Sequence, residues 1–451
     1  MNQSTTDSLR TRLAEKLADS LADPIPAATP RHVYGAVRLP NKATAVIGMR
    51  RAGKTTFLHQ LRRERAEAGT PRVNLPYINF EDERLAGLTA RSLHLLPEEH
   101  YRQFPALRGK ETVTWCFDEI QIVPGWERFI RRMLDSENVE IFVSGSSAAL
   151  LSREIATAMR GRAWEVIIHP FSFDEYLHHH QFVVSKSAAA ATSSFLTTPE
   201  RSSLERAFLD YLTVGGFPEA QGLDAATRNL LLHDYVDVAM LRDVVERHRV
   251  TNVTGLRWLV RQLLGSAASL FSVEKFFSAL KSQGLSISKD TVHHLLEYLE
   301  DCFLIRTVWM ESASERQRMV NPRKAYPVDP GLIPVFDRGR RANIGHALET
   351  AVLLELERRR MQVTYVRTPS GREVDFLARG PAGELELIQV CADATDAGTL
   401  EREIRALAEA AQTFPDATRR LLTLTRDALP STVPEGIRAQ PAYEWLLGGA
   451  A

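Results

Sequence analysis

Cysteine is scarce in this chain: there are three in 451 residues, Cys116, Cys302 and Cys391, far apart in sequence. They form neither a disulfide framework nor the paired spacing of a zinc site, which suits a reducing cytoplasm. Net charge is also lacking. Lysine plus arginine and aspartate plus glutamate both number 56, so no global excess marks a nucleic-acid or membrane binder, and any basic surface has to be local. Long apolar runs are absent too. No stretch reaches the roughly 18 residues that suggest a membrane-spanning helix. The polar start, MNQSTTDSLRTRLAEKLADSLAD, lacks the apolar centre of a secretory signal. What is present is 44% hydrophobic and 25% charged, the balance of a soluble globular protein, at a length that calls for two or three domains.

Periodicity divides the chain. Residues 1–30 read as an N-terminal amphipathic helix, closed by a loop with Pro24, Pro26 and Pro30. From 31 to 180, apolar runs at 43–49, 75–80, 112–117 and 139–145 predict strands, with helical patterns between them, including 126–135. That alternation implies an α/β core with a parallel sheet and helices on both faces. Residues 181–203, rich in Ala and Ser, read as a flexible linker. Residues 204–310 are mostly helical by pattern, and 272–308 has a winged-helix outline of helix, Gly-containing turn, helix and short strand. A basic connector at 311–341 leads to a small α/β domain at 342–435, and 436–451 is expected to be a tail.

The chemistry centres on Gly48-Met49-Arg50-Arg51-Ala52-Gly53-Lys54-Thr55, which fits G-x-x-x-x-G-K-[ST] between a strand and a helix. Its glycines let successive N–H groups wrap phosphates at a helix N-terminus. Gly48, Arg50, Arg51, Ala52, Gly53, Lys54, Thr55 and Thr56 are therefore expected to bind ATP, with Lys54 reaching the phosphates and Thr55 holding Mg²⁺. The run TVTWCFDEIQ ends a strand on Asp118, placed to hold the metal, and Glu119, placed to deprotonate the attacking water. At the end of the 139–145 run, Ser144 or Ser146 is a candidate for contacting the γ-phosphate, unless Gly145-Ser146 is only a turn. Arg160 and Arg162, flanking Gly161, are candidates to reach the nucleotide of a neighbouring subunit in a ring, against the plainer reading of surface arginines.

These residues carry a family resemblance. GMRRAGKTT, YINFEDERL, CFDEIQ, SGSSAALLS and RGRAWEVIIHPFSFDEYL, followed by FLDYLTVGGFPEA, YVDVAMLRDVVERH, LEYLEDCFLI, GHALETAVLLEL and GREVDFLA, resemble in their order the bacterial and archaeal AAA-type ATPases of uncharacterised role. The resemblance spans about residues 30 to 430. It implies an AAA-like P-loop ATPase core, a helical region with a winged helix, and a C-terminal domain similar to the PD-(D/E)XK nuclease fold. The residues expected for cutting are incomplete: Glu349 and Asp375 fit the acidic positions, but Gln389 stands for the third carboxylate and Cys391 for the lysine. An amide is a weaker Mg²⁺ ligand and a thiol carries no cation, so no nuclease activity is expected.

Partner signals are weaker. The stretch 257–306, which takes in the winged helix, has six basic and five acidic residues, while 311–341 has seven against four. The second could track phosphates or be a solvated loop. Arg242, Arg247 and Arg249 suit a subunit interface or local ion pairs. Gly215-Gly216-Phe217-Pro218 is a rigid turn expected to close over ATP, and His178-His179-His180 sits too close in sequence to share a metal on a helix. The expected function is an Mg²⁺-dependent ATPase that couples hydrolysis to domain motion, acting on DNA, with no membrane partner and with a homo-oligomer expected. The alternative is a slow ATP-gated switch that recruits a protein.

Overall fold

The apolar run Ala43–Ile47 forms strand β1 and is buried along its whole length, as expected for a strand covered by helices on both faces. Around it the computed structural model, which describes residues 3–34, 39–145, 159, 161–182, 197–285, 287–337, 343–392 and 397–448, lays four parallel strands. These are β2 (Tyr77–Asn79), β3 (Val113–Asp118), β4 (Val139–Ser144) and β5 (Ala163–Ile167), in the order β2-β3-β4-β1-β5. The periodicity misses β5, because four of its five residues are only half-buried and it has no clean apolar run. The parallel register from Ala43↔Ala163 to Ile47↔Ile167 fixes it as the edge beside β1.

The first helix, Gln3–Ala22, stops eight residues short of the expected end, ahead of the three prolines. Leu9, Leu13 and Leu17 recur every four residues and are buried, which makes one apolar face. Its end is tied down by buried Arg62 of the helix Lys54–Glu67, whose guanidinium donates to Ser20 O at 2.7 Å and to Leu75 O at 3.0 Å. Carbonyl partners of this kind let a charged group leave water without an unmet donor. The helix Trp126–Ser136 buries Trp126, Phe129, Ile130, Met133 and Leu134, the spacing of an amphipathic helix packed on a sheet.

The chain divides into two compact units, Met1–Ile168 and His169–Ala451. By that division HPFSFDEYL (169–177) falls in the second unit. There the helix Phe173–His179 opens on a capping box between Ser172 and Glu175, worth about 1 kcal/mol. Residues 183–196 of the expected linker lie outside the described residues. Residues 197–203 are not linker: Thr197 and Glu200 form a second capping box that starts the helix Thr198–Val214. The pattern at 240–249 is realised as a π-helix, Ala239–Glu246, running on from Ala225–Val238.

The winged-helix outline is present as β6 (Ser269–Phe271), helices Val273–Ser282 and Lys289–Asp301, and β7 (Ile305–Met310). The segment 311–341 is not merely a connector. It contains β8 (Arg323–Pro327), which pairs antiparallel with both β6 and β7. β7 also pairs in parallel with β9 (Gln362–Arg367), through Trp309↔Thr364 and Met310↔Tyr365. With β10 (Glu373–Arg379), β11 (Leu385–Cys391), β12 (Thr418–Thr423) and β13 (Ile437–Pro441), one sheet of eight strands runs in the order β13-β12-β11-β10-β9-β7-β8-β6. The expected tail at 436–451 supplies β13 and the helix Ala442–Leu447, whose Tyr443 and Trp445 enter the core with Phe208, Leu348 and Phe376. Aromatic burial on that scale outweighs the position near the chain end.

Candidate active site

The loop after β1 has the backbone a phosphate cradle needs. Gly48 has φ 147° and approaches β5 so closely that a Cβ would stand 2.2 Å from the Ile168 carbonyl oxygen, so no side chain is tolerated there. Gly53 has φ 103° and caps the helix that begins at Lys54, so the first-turn N–H groups, which have no acceptor within the helix, lie at the loop end. Lys54 is buried and donates from Nζ to Gly48 O at 3.0 Å and Met49 O at 3.1 Å. Thr55 is exposed on the same turn, with Thr56 and Arg50 half-buried and Arg51 exposed at φ 65°. Ala52 is fully buried and anchors the loop in the core beside Phe57 and Ile168.

Asp118, at the tip of β3, converges on this loop. Its Oδ2 accepts from the Thr55 hydroxyl at 2.7 Å and from the Tyr77 hydroxyl at 2.7 Å, and its Oδ1 accepts from the Ser144 hydroxyl. A threonine hydroxyl and one carboxylate at a helix N-terminus are the donor set that Mg²⁺ takes when phosphates complete its shell. Among the described residues, no group of three or more His, Cys, Asp or Glu could hold a metal by itself. Tyr77 ionises only far above its ordinary range, because burial and the facing Asp118 both oppose its charge. It therefore stays a hydrogen-bond donor to that carboxylate.

Glu119 follows at φ 53°, and its backbone N–H donates to Ser144 Oγ at 3.2 Å while its carboxylate accepts from the Gln121 amide. Burial pushes the Glu119 carboxyl up, against the pull of nearby Lys54, a shift that suits a base. Ser144 thus lies between the two acidic residues, and the short polar side chain expected on that strand tip is found there. Ser146 and Arg160 lie outside the described residues. Arg162 stands at the start of β5, the end of the sheet opposite the loop, and pairs with Asp135. It does not reach the nucleotide loop of its own chain.

Two contributors escaped the sequence reading. Tyr77 sits within YINFEDERL, but only the fold shows its hydroxyl on Asp118. Arg31, before the first strand, donates to Ala52 O at 2.8 Å. Nothing in its local sequence signals that contact.

The second unit holds a buried polar cluster, and here the expectation of a missing lysine is corrected. Lys324, from β8 in the supposed connector, places Nζ 2.8 Å from Glu349, 2.7 Å from Glu373 and 3.0 Å from Asp375. Burial works to lower the Lys324 pKa, but Asp375, Tyr326, Glu349 and Glu373 together hold it well above the ordinary value. Gln389 donates from Nε2 to Asp375 at 2.9 Å and to Glu403 at 2.7 Å. Tyr326 donates to Glu349 at 2.6 Å. Cys391 does not take the lysine's place; it packs with Val374, Leu377 and Leu407 in an apolar cluster.

The Gly215-Gly216 turn is occupied within its own unit. Asp329 accepts from Gly216 N–H at 2.6 Å and Gly331 N–H at 2.9 Å, and Phe171 N–H donates to Gly216 O at 2.7 Å. His180 meets Gln221 at 3.1 Å and the ring of Tyr176. Arg242 pairs with Glu246 on the π-helix. Among the described residues no helix is long and apolar enough to cross a membrane.

Comparison with known proteins agrees with the geometry. Residues 40–177 match the AAA domain family, and residues 205–339 match a domain of unknown function (DUF8612). An uncharacterized protein of Methanocaldococcus jannaschii is 35% identical over 377 residues, covering 82% of this chain and 79% of that protein. The chain belongs to the same family as that archaeal protein. An uncharacterized protein of Haemophilus influenzae is similar as well, 29% identical over 346 residues, covering 76% of this chain and 81% of its own length. Among solved structures, the Walker-type ATPase of Pyrococcus abyssi aligns at 18% identity over 72% of this chain and 95% of its own, with a TM-score of 0.39. Cdc6p of Pyrobaculum aerophilum aligns at 12% identity over 70% of this chain and 96% of its own, with a TM-score of 0.25. The AAA match is thus confined to residues 40–177, and the nuclease-like expectation for the C-terminal part has no counterpart among the matched families.

Proposed function

We propose that this AAA-family chain is an Mg²⁺-dependent ATPase whose hydrolysis drives motion of the helical and C-terminal parts. The observation that carries the reading is the convergence of Thr55 and Asp118 at 2.7 Å on the turn that starts at Lys54. When bound, Mg²⁺ would neutralise charge between the β- and γ-phosphates, held by the Thr55 hydroxyl and Asp118. The loop N–H groups bind and orient the phosphates, and Lys54 exchanges its two carbonyl contacts for phosphate oxygens. Glu119 takes the proton from the attacking water, and Ser144 holds both acidic residues in register. Lys54→Ala is expected to abolish ATP binding or turnover; unchanged hydrolysis in that variant would sink the reading.

DNA remains the proposed partner on the strength of the winged-helix outline, but a second reading, recruitment of a protein, is favoured by one specific surface. The second helix of the winged helix, Lys289–Asp301, exposes Lys289, Asp290, His294 and Glu297, and Lys289 is paired with Glu274. Tyr298 of the same helix is stacked at 3.7 Å on His248. Such a face offers phosphates little. The basic segment beside it is partly spent as well, since Lys324 is internal and Arg323 lies 3.6 Å over the Trp309 ring. An active nuclease stays disfavoured. Lys324 already neutralises the carboxylates from within, so a divalent cation would have to displace a buried ammonium.

A further inference from the structure

Arg31 lies outside the nucleotide motifs, yet it is only 5% exposed, and its guanidinium donates from Nη1 to Ala52 O at 2.8 Å. Its main chain is held with equal care. Arg31 N–H donates to Gln60 Oε1 at 2.7 Å, and Gln60 Nε2 donates back to Arg31 O at 3.1 Å. One carboxamide on the helix Lys54–Glu67 thus grips both backbone groups of Arg31, much as a neighbouring strand would. Gln60 is itself steadied by a 2.8 Å contact to Glu64.

The consequence follows from peptide geometry. In a trans peptide the carbonyl and the following N–H point in opposite directions. A guanidinium holding Ala52 C=O on one side of the loop therefore turns the Gly53 N–H to the other. That N–H needs fixing, because glycine at φ 103° has few barriers of its own to hold the peptide in one orientation. It precedes the first turn of the helix, where unpaired donors wrap an anion.

We propose that Arg31 is a positioning residue: it locks the Ala52–Gly53 peptide with its N–H facing the phosphates, so that the cradle is formed before nucleotide arrives. The inference rests on the nucleotide-binding reading above. Its test compares ATP, ADP and AMP binding, by titration calorimetry with Mg²⁺, for the full-length wild-type chain, Arg31→Met and Arg31→Lys. Melting temperature is recorded without nucleotide. A charge-assisted hydrogen bond supports an expected loss of about tenfold in ATP and ADP affinity for Arg31→Met. AMP affinity and melting temperature should stay near wild type, and Arg31→Lys should recover part of the loss. Wild-type ATP affinity in Arg31→Met overturns the brace while leaving the nucleotide reading intact. Parallel loss of AMP binding and of melting temperature also overturns it, in favour of a role in folding alone. If the wild-type chain binds none of the three nucleotides, the nucleotide reading falls and the brace with it.

Discussion

Glu119 holds a left-handed backbone conformation that costs a non-glycine residue on the order of 1–3 kcal/mol. The turn is followed by a contact of the Glu119 carboxylate with the Gln121 amide, while burial raises its proton affinity. Glu119→Gln keeps the shape and the contact to Gln121 but cannot accept a proton. Phosphate release is expected to fall by about 10²- to 10⁴-fold, with ATP retained on the protein in a filter-binding assay. At this scale the sequence was legible wherever placement follows from covalent spacing, as in the loop from Gly48 to Thr55 and Asp118-Glu119 at the tip of β3. It was opaque wherever a residue acts across space. Tyr77, Arg31 and Lys324 each approach their partners from another element, and no spacing rule connects Lys324 to Asp375, 51 residues on.

Elements carry the next set of consequences. β8 delivers Lys324 into a cluster with Glu349, Glu373 and Asp375, beside Tyr326, which donates to Glu349. Lys324→Met removes the only cation contacting Glu349 and Asp375 among the described ion pairs. Stranding buried charge in this way costs about 3–5 kcal/mol, so a fall in urea midpoint is expected, read by circular dichroism. The loop of Asp329 and Gly331 makes a pH-dependent contribution. Burial raises the Asp329 carboxyl to about 7, against the hydrogen bonds from Gly216 and Gly331 that pull it down. A folded-state value above the unfolded one means that the folded chain binds the extra proton. Asp329 thus contributes stability fully below about pH 4, and loses it as pH rises toward 7. Asp329→Asn should flatten that part of the stability profile, measured as the difference in denaturation midpoint between variant and wild type from pH 4.5 to 7.5. Strands with strong apolar runs were legible in advance. β5, β8 and β13 were not: β5 and β13 are edge strands without an apolar run, and β8, though paired on both sides, opens on Arg323-Lys324 and ends on Pro327, so its place is set by its neighbours rather than by its own pattern.

For the whole molecule, partner choice turns on how many cations are left for a phosphate backbone. Lys324 and Arg323 are committed internally, Arg318 lies 3.6 Å from Glu315, and the helix Lys289–Asp301 is mixed in charge. If DNA is nonetheless the partner, ATP turnover should rise with single-stranded, duplex or branched DNA, and the rise should fade between about 50 and about 200 mM salt as counterion release weakens. Turnover indifferent to all three, on protein whose solution mass is measured alongside, would favour recruitment of a protein. The architecture of unit one was readable because alternating apolar runs leave few topologies open. That of unit two was not, because the boundary drawn at 310 and 342 follows composition, whereas the β7–β9 pairing crosses it. That pairing also bears on inheritance. A winged helix is usually a module that recombination can lift out and set elsewhere, but here its last strand is a plank in the floor of the C-terminal domain. An exchange of either half for a homologue's would have to match the other strand by strand.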